Sequence, residues 1–223
     1  MFTSFKTGRI LSASGTWLGT DPAATVEPWG AAGPEPGAAL ILESDIPLPK
    51  SVHDVPGLAA SPVATLYTVF NKRSSAEAQH VLASIATTDG VYVSLLHAGR
   101  NDNNYGFGLN TYTSAGSALP GYPLDNQRTV LVRSKLYNPG PAGGPDKLFM
   151  MWLNGVEQQL RLNGVQQGHP WTNTFVCGGF LPGGPALDWQ GDKYALRLYL
   201  ADHTESQAQR TEAYLRRLYP QIT

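Results

Sequence analysis

The chain has 223 residues, of which 15% are charged, and its formal net charge is −1. Charged residues usually make up about 25% of a globular protein, and a balance so close to zero gives no reason to expect a nucleic-acid or acidic-membrane partner. The 24 Gly and 17 Pro exclude a helical bundle. The single Cys177 excludes an internal disulfide and a thiolate zinc site. With 42% hydrophobic residues, these counts predict one β-type domain.

The first sixty residues are rich in Gly and Pro, and only residues 39–46 have the clear pattern of a strand. Near the N-terminus, Ile10 and Leu11 alone follow the charges of Lys6 and Arg9, which is too short an apolar stretch for a signal peptide. No apolar stretch is as long as a membrane span. We therefore expect a soluble protein that is made in the cytoplasm and does not insert into a membrane.

From residue 65 onward the chain reads as short segments rich in Val, Leu, Ile, Tyr and Thr, which favour strands. Asp89-Gly90 predicts a tight hairpin turn. Asn154-Gly155 and Asn163-Gly164 predict two further turns of type I′, because both central residues of that turn need positive φ. The predicted strands cover residues 65–70, 80–86, 91–96, 105–109, 129–136, 148–153, 156–162 and 193–200.

The end of the chain predicts the only helix, over about residues 205–218. Thr204 and Gln207 have the spacing of a capping box, apolar residues follow at helical spacing, and Pro220 ends the helix. Ten or more short strands and one terminal helix predict an all-β fold, a two-sheet antiparallel jelly-roll sandwich with a short C-terminal α-helix.

Residues 189–199, which read WQGDKYALRLY, resemble the closing strand of concanavalin A-like, laminin G-like domains, in which an aromatic-x-Gly-Asp motif precedes the strand. The helix start at Thr204 and the hairpin segment 152–156 fit the same family. The resemblance spans roughly residues 60–220. It implies a single jelly-roll domain over residues 1–223, with a laminin G-like core at 61–220. Residues 1–60 form a loop-rich part that supplies edge strands or serves as an arm that docks on a neighbour.

The carboxylates lack the pattern of a glycoside hydrolase. Retaining hydrolases of this fold carry Glu-x-Asp-x-x-Glu on one strand, and the nearest match, Glu43 and Asp45, has Leu48 in the third position. The chain has no Gly-x-Ser-x-Gly elbow, and no histidine has another three or four residues away, which makes a histidine metal site improbable. We expect no catalytic residues. The alternative is a divergent carbohydrate-active enzyme that uses Glu43, Asp45 or Glu157.

Two segments carry the side chains that sugar recognition needs, namely amide and carboxylate groups for hydroxyls and an aromatic ring for the apolar face. The candidate ligand-binding residues are Asn101, Asp102, Asn103, Asn104, Tyr105, Trp171 and Asn173. The competing interpretations are a plain hairpin loop for residues 101–104, packing for Trp171, and a Ca²⁺ site in the oxygen-rich loop. No other cofactor is expected.

These observations favour a non-enzymatic, lectin-like structural module. Laminin G-like domains are common in bacteriophage structural proteins, so the resemblance implies a virion surface protein, either a capsid decoration or a tail-associated component. Its expected partners are other virion or assembly proteins, in an oligomeric arrangement, and cell-surface glycans. A cytoplasmic lectin without a virion role is the remaining alternative.

Overall fold

The structure is a computed structural model that describes residues 35, 37–71, 80–90, 92–98, 106–111, 117–118, 129–138, 149–157, 170–179, 189 and 191–222. Twelve strands and one helix lie within these ranges. They are β1 (Ala38–Glu43), β2 (Ser51–Asp54), β3 (Val63–Phe70), β4 (His80–Thr87), β5 (Tyr92–Ala98), β6 (Gly106–Thr111), β7 (Ser117–Ala118), β8 (Val130–Tyr137), β9 (Phe149–Leu153), β10 (Val156–Glu157), β11 (Trp171–Cys177), β12 (Lys193–Tyr199) and α1 (Glu205–Leu218).

The strands form two six-stranded sheets. Sheet 1 has the order β1-β12-β3-β8-β9-β10, and sheet 2 has the order β2-β11-β4-β5-β6-β7. The neighbouring strands in both sheets pair antiparallel. This architecture, with its C-terminal helix, confirms the predicted two-sheet sandwich. The first sixty residues contribute β1 and β2, which lie at the edge of sheet 1 and of sheet 2. The boundaries of the predicted single domain over residues 1–223 stay a prediction, because residues 1–34 lie outside the described ranges.

The core lies between the two sheets because alternate residues of each strand point to the same side. Leu66, Phe70 and Leu198 of sheet 1 pack against Ile85 and Phe175 of sheet 2 in one buried cluster. Burying apolar surface in this way contributes roughly 25 cal/mol per Å². The interior therefore holds the two sheets together and leaves their outward faces for other roles.

Helix α1 covers the outward face of sheet 1. Tyr67, Val69 and Tyr199 of the sheet form a second buried cluster with Tyr214 and Leu215 of the helix. The predicted capping box is present, since the Thr204 side chain accepts a bond from the Gln207 backbone and the Gln207 side chain accepts one from the Thr204 backbone. Among the described residues, no helix is long and apolar enough to cross a membrane.

The hairpin between β9 and β10 has the predicted Asn-Gly turn. Asn154 has φ 51° and Gly155 has φ 88°, as both central positions of a type I′ turn require. The Asn154 side-chain oxygen also accepts a hydrogen bond from the Leu131 backbone at 3.0 Å, which ties the hairpin to β8. The second predicted turn, at residues 163–164, lies outside the described ranges.

The structure differs from the sequence analysis at three strands. Strands β2 and β7 were not predicted, and both are short and polar. Strand β11 begins at Trp171, so the candidate ligand residues Trp171 and Asn173 lie on a strand that was not predicted. The segment is extended because it pairs with β4, where Thr87 is the partner of Trp171. These partners lie far away in the chain.

Candidate functional site

The Trp-x-Gly-Asp motif ends the chain connection from β11 of sheet 2 to β12 of sheet 1, and it lies beside the end of β3. Trp189 donates its ring N–H to the Asn71 carbonyl at 3.1 Å, and its ring meets Phe70 edge-on with centroids 5.2 Å apart. The Asp192 carboxylate accepts bonds from Asn71 and from the Tyr194 hydroxyl. These contacts give the motif an architectural role, because they fix the turn that enters β12.

Trp171 lies in the core rather than on a binding surface. Only 2% of its surface is exposed, and its backbone N–H donates to the Asn138 side-chain oxygen at 3.3 Å. Among the described residues, none accepts a hydrogen bond from its ring N–H. A sugar that stacks on this ring would have to displace the residues that bury it, so the placement supports the packing interpretation of Trp171.

Asn173 is half-buried and holds the connection between β2 and β3 against β11. Its side-chain oxygen accepts a bond from the Ala59 backbone at 3.0 Å, and its carbonyl accepts one from Val55 at 2.8 Å. Among the residues that the structure describes, none accepts a hydrogen bond from its amide nitrogen.

The other predicted ligand residues, Asn101, Asp102, Asn103, Asn104 and Tyr105, lie outside the described residues. The strands that flank them are described, because β5 ends at Ala98 and β6 begins at the paired Gly106. Trp171 pairs instead with Thr87, near the beginning of β5. Since β5 has seven residues, the two ends are about 20 Å apart. Ala98 and Gly106, which flank that segment in the sequence, thus lie at the opposite end of sheet 2 from Trp171.

Strand pairing reveals a cross-strand row on the outward face of sheet 2 that the sequence analysis missed. The row runs through all six strands in register, and we call it the polar row: Val52, Val176, Ser84, Ser94, Asn110 and Ser117. Four of these positions are Ser or Asn, and none is charged. Val176 and Ser84 are at most 1% exposed, so the row is covered where it crosses β11 and β4. Six strands about 4.8 Å apart make the row roughly 24 Å long. At β4 the Ser84 hydroxyl donates to the Gly179 carbonyl at 2.8 Å.

The outward face of sheet 1 carries a row of the opposite character, which we call the arginine row: Arg197, Tyr67, Arg133 and Trp152. The guanidinium of Arg133 lies 4.0 Å from the centre of the Trp152 ring, and that of Arg197 lies 4.6 Å from the Tyr214 ring. Both arginines are at most 1% exposed beneath α1.

The three carboxylates of the predicted enzyme alternative lie apart from one another in the structure. Glu43 is buried beneath α1, where it pairs with Arg197 and accepts a bond from the Tyr214 hydroxyl at 3.4 Å. Asp45 and Glu157 are exposed, and Glu157 lies across the sheet on β10. Glu43 is therefore committed to a structural ion pair and does not form a cleft with the other two carboxylates.

Two further titratable groups are structural in their placement. Cys177 is fully buried, and burial raises the pKa of its thiol to about 11, so it behaves as a small apolar residue. His53 lies 2.8 Å from the Ser51 hydroxyl, and burial lowers the pKa of its imidazole. Within the described ranges, no group of three or more His, Cys, Asp or Glu residues could hold a metal ion.

No protein-family model matches the chain, and no curated protein matches its sequence. Among solved structures, the chain is similar to Trypanosoma rangeli sialidase in complex with sialic acid, at 15% identity and a TM-score of 0.57, over 96% of this chain and 33% of that one. The same sialidase with 2,3-difluorosialic acid, as the covalent intermediate, gives 14% identity and a TM-score of 0.54, over 85% and 29%. A SAP-like pentraxin from Limulus polyphemus gives 14% identity and a TM-score of 0.46, over 75% and 71%.

The chain thus spans about a third of the length of the sialidases that it matches. At this level of identity the likeness shows the fold alone, and it agrees with the concanavalin A-like β-sandwich that the sequence resemblance implies.

Proposed function

We propose that this protein is a non-enzymatic, lectin-like β-sandwich that binds glycans through sheet 2 and serves as a surface component of a bacteriophage particle. The observation that carries the proposal is the β5–β7 part of the polar row, where the hydroxyl and amide positions Ser94, Asn110 and Ser117 are register partners. Asn110 and Ser117 lie at its far end, on β6 and β7. Segment 99–105, with its Asn residues, joins β5 to β6 of the same sheet.

Hydroxyl and amide groups suit a glycan because each can donate or accept hydrogen bonds to sugar hydroxyls. Tyr92 lies on the same face one row away, where it pairs with Ala86, and an aromatic residue suits the apolar face of a sugar ring. The sialidases in the comparison act on or bind sialic acid derivatives, as their descriptions state, which supports a carbohydrate ligand for this fold.

The absence of catalysis in the proposal rests on the carboxylates. Most retaining glycosidases use two carboxyls about 5 to 5.5 Å apart beside the scissile bond, sialidases with a tyrosine nucleophile being an exception. Glu43 instead neutralises Arg197 beneath the helix, and a carboxylate in that position cannot reach a substrate without breaking the ion pair. The protein would therefore bind a glycan and release it unchanged.

The virion role rests on the resemblance and on composition. Few charges and many Gly and Pro residues in the connections suit a module that packs beside copies of itself or beside other particle proteins. The proposed partners are those proteins and the glycans of the host surface.

A glycan array with the full chain tests binding, with and without Ca²⁺. Three alanine variants separate the candidate positions: Asn110→Ala on the polar row, Tyr105→Ala in segment 99–105, and Asn173→Ala at the opposite end of sheet 2. We expect Asn110→Ala and Tyr105→Ala to lose most binding and Asn173→Ala to keep it. Loss only in Asn173→Ala would place the ligand at the other end, and hydrolysis of a bound glycan would contradict the non-enzymatic role.

Mass spectrometry of purified phage particles from the source tests the second half of the proposal. We expect this polypeptide among the particle proteins, at a copy number that fits a symmetric assembly. Particles that lack it would refute the virion role and leave the glycan-binding role to be judged on the array.

A further inference from the structure

His203 lies at the junction between β12 and α1, where the chain turns from sheet 1 into the helix. Only 3% of its surface is exposed. Its Nδ1 lies 2.9 Å from the Tyr67 hydroxyl, its ring centre lies 4.2 Å from that of Tyr199, and its backbone N–H donates to the Thr65 hydroxyl at 3.2 Å. The imidazole is thus enclosed by the two strands on which α1 packs.

The charged groups near His203 are already paired with one another. Lys135 pairs with Asp202, Glu35 pairs with Arg210, and Arg133 pairs with both Glu205 and Glu212. No carboxylate in this part of the described structure is therefore reserved for an imidazolium. The titratable or charged groups that face the junction are Tyr67 on β3, Arg133 and Lys135 on β8, Tyr199 on β12, Asp202 before the helix, Glu205 and Glu212 on the helix, and Glu35 before β1.

An imidazolium in this position would lose its hydration without gaining a counter-ion, which is costly in a buried site. Burial accordingly lowers the pKa of His203, although Glu35 and Asp202 act in the opposite direction. Burial also raises the pKa of the Tyr67 hydroxyl, so the phenol stays neutral and cannot take the place of a carboxylate.

We propose that His203 is an acid-sensitive latch that holds helix α1 on sheet 1 and releases it when the imidazole is protonated. A histidine whose folded pKa is depressed stabilises the closed state fully above its ordinary pKa of about 6.5. That stabilisation declines as the pH falls from there toward the folded pKa. Opening lets the imidazole reach water, where it is protonated at its ordinary pKa.

Opening of the latch would uncover the arginine row and the aromatic residues beside it. In the closed state Glu205 and Glu212 of the helix lie against Arg133, so the helix supplies acidic groups to a basic and aromatic face. The released state would expose that face to solvent, and the transition is local, since the cluster that α1 covers is separate from the core between the sheets.

Hydrogen exchange of the full chain between pH 7.5 and pH 5, corrected for the intrinsic exchange rate, tests the latch. We expect the opening equilibrium of amides in residues 203–219 to rise by up to about tenfold for each pH unit below 6.5, since one proton is taken up. Amides of β3 and β12 that pair within the sheet should keep their protection. An NMR titration of the unsubstituted protein should give a pKa below 6.5 for His203.

Two variants supply the control. His203→Gln keeps a polar side chain without a titratable group, and we expect it to abolish the pH dependence of helix opening. His53→Gln removes the other described histidine whose pKa burial lowers; because His53 lies on β2, this variant should leave the dependence unchanged. Helix opening that does not change with pH in the wild type, or that changes equally in His203→Gln, would overturn the proposal, as would a His203 pKa at or above 6.5.

Discussion

The outward face of each sheet carries a row of side chains that crosses its strands, and the two rows differ in chemistry. The arginine row on sheet 1 is charged and aromatic, and α1 closes over it. The polar row on sheet 2 has no charged position, and no helix of the described structure lies on it. The difference indicates that sheet 1 uses its outward face for stability, whereas the row on sheet 2 is covered at Val176 and Ser84 and exposed at Val52.

The largest loss of stability is expected when the ion pair beneath α1 is disrupted. Arg197→Met should lower the free energy of unfolding by about 3–5 kcal/mol, because Glu43 is left buried without a counter-charge. Urea unfolding measures the loss. The double variant Glu43→Gln/Arg197→Met should recover much of it. A loss below about 1 kcal/mol for the single variant would show that the pair is not the structural element described here.

The buried tryptophan of sheet 2 gives the next largest effect. Trp171→Ala should cost about 3–5 kcal/mol through the cavity that it leaves, whereas Trp171→Phe should cost clearly less. Unfolding and glycan binding measured on the same samples distinguish packing from recognition. If Trp171→Phe folds as stably as the wild type but no longer binds a glycan, the ring has a binding role after all.

Gly191 tests the motif that links the two sheets. A Cβ at this position would overlap the Asn71 carbonyl, which is backbone and cannot move aside. Gly191→Ala should therefore lower the midpoint of thermal unfolding and cost about 1–3 kcal/mol. Gly37→Ala is the control, since a Cβ there meets nothing within 4 Å and only the positive φ is penalised. Equal losses in the two variants would argue against a steric role for Gly191.

The smallest effect is expected at the start of α1. Thr204→Ala removes the side chain that caps the helix and should cost about 1 kcal/mol. Because α1 packs on sheet 1 and the polar row lies on sheet 2, glycan binding should not change. Circular dichroism and the glycan array can be applied to one preparation. A variant that binds glycans more weakly at unchanged helix content would connect the two faces.

The sequence predicted the architecture well because its signals are local. The Asn154-Gly155 turn, the alternation along β12 and the capping box at Thr204 each follow from residues within a few positions of one another. Trp171 illustrates the limit, since a tryptophan after Pro170 suits a loop or a strand equally. Only the structure shows that Trp171 pairs with Thr87 on a strand and that its side chain is buried.

The site was harder to predict than the fold because its neighbours are distant in the chain. Ser84, Ser94 and Asn110 share a row through the register of three strands. His80 and His97 are likewise register partners on β4 and β5, although their spacing in the sequence suggested scattered histidines. Alternation within each strand could have assigned the faces, but not which strands lie side by side or in which register.

The pairing of β1 with β12 has a consequence for the order in which the protein can form during synthesis. Arg197 and Glu43 are 154 residues apart, and sheet 1 cannot receive its edge strand until β12 has left the ribosome. The apolar residues of β1 therefore wait for most of the chain to be made. Contacts over such distances slow folding and prolong the exposure of unpaired strands. We expect the nascent chain to depend on chaperones until β12 emerges.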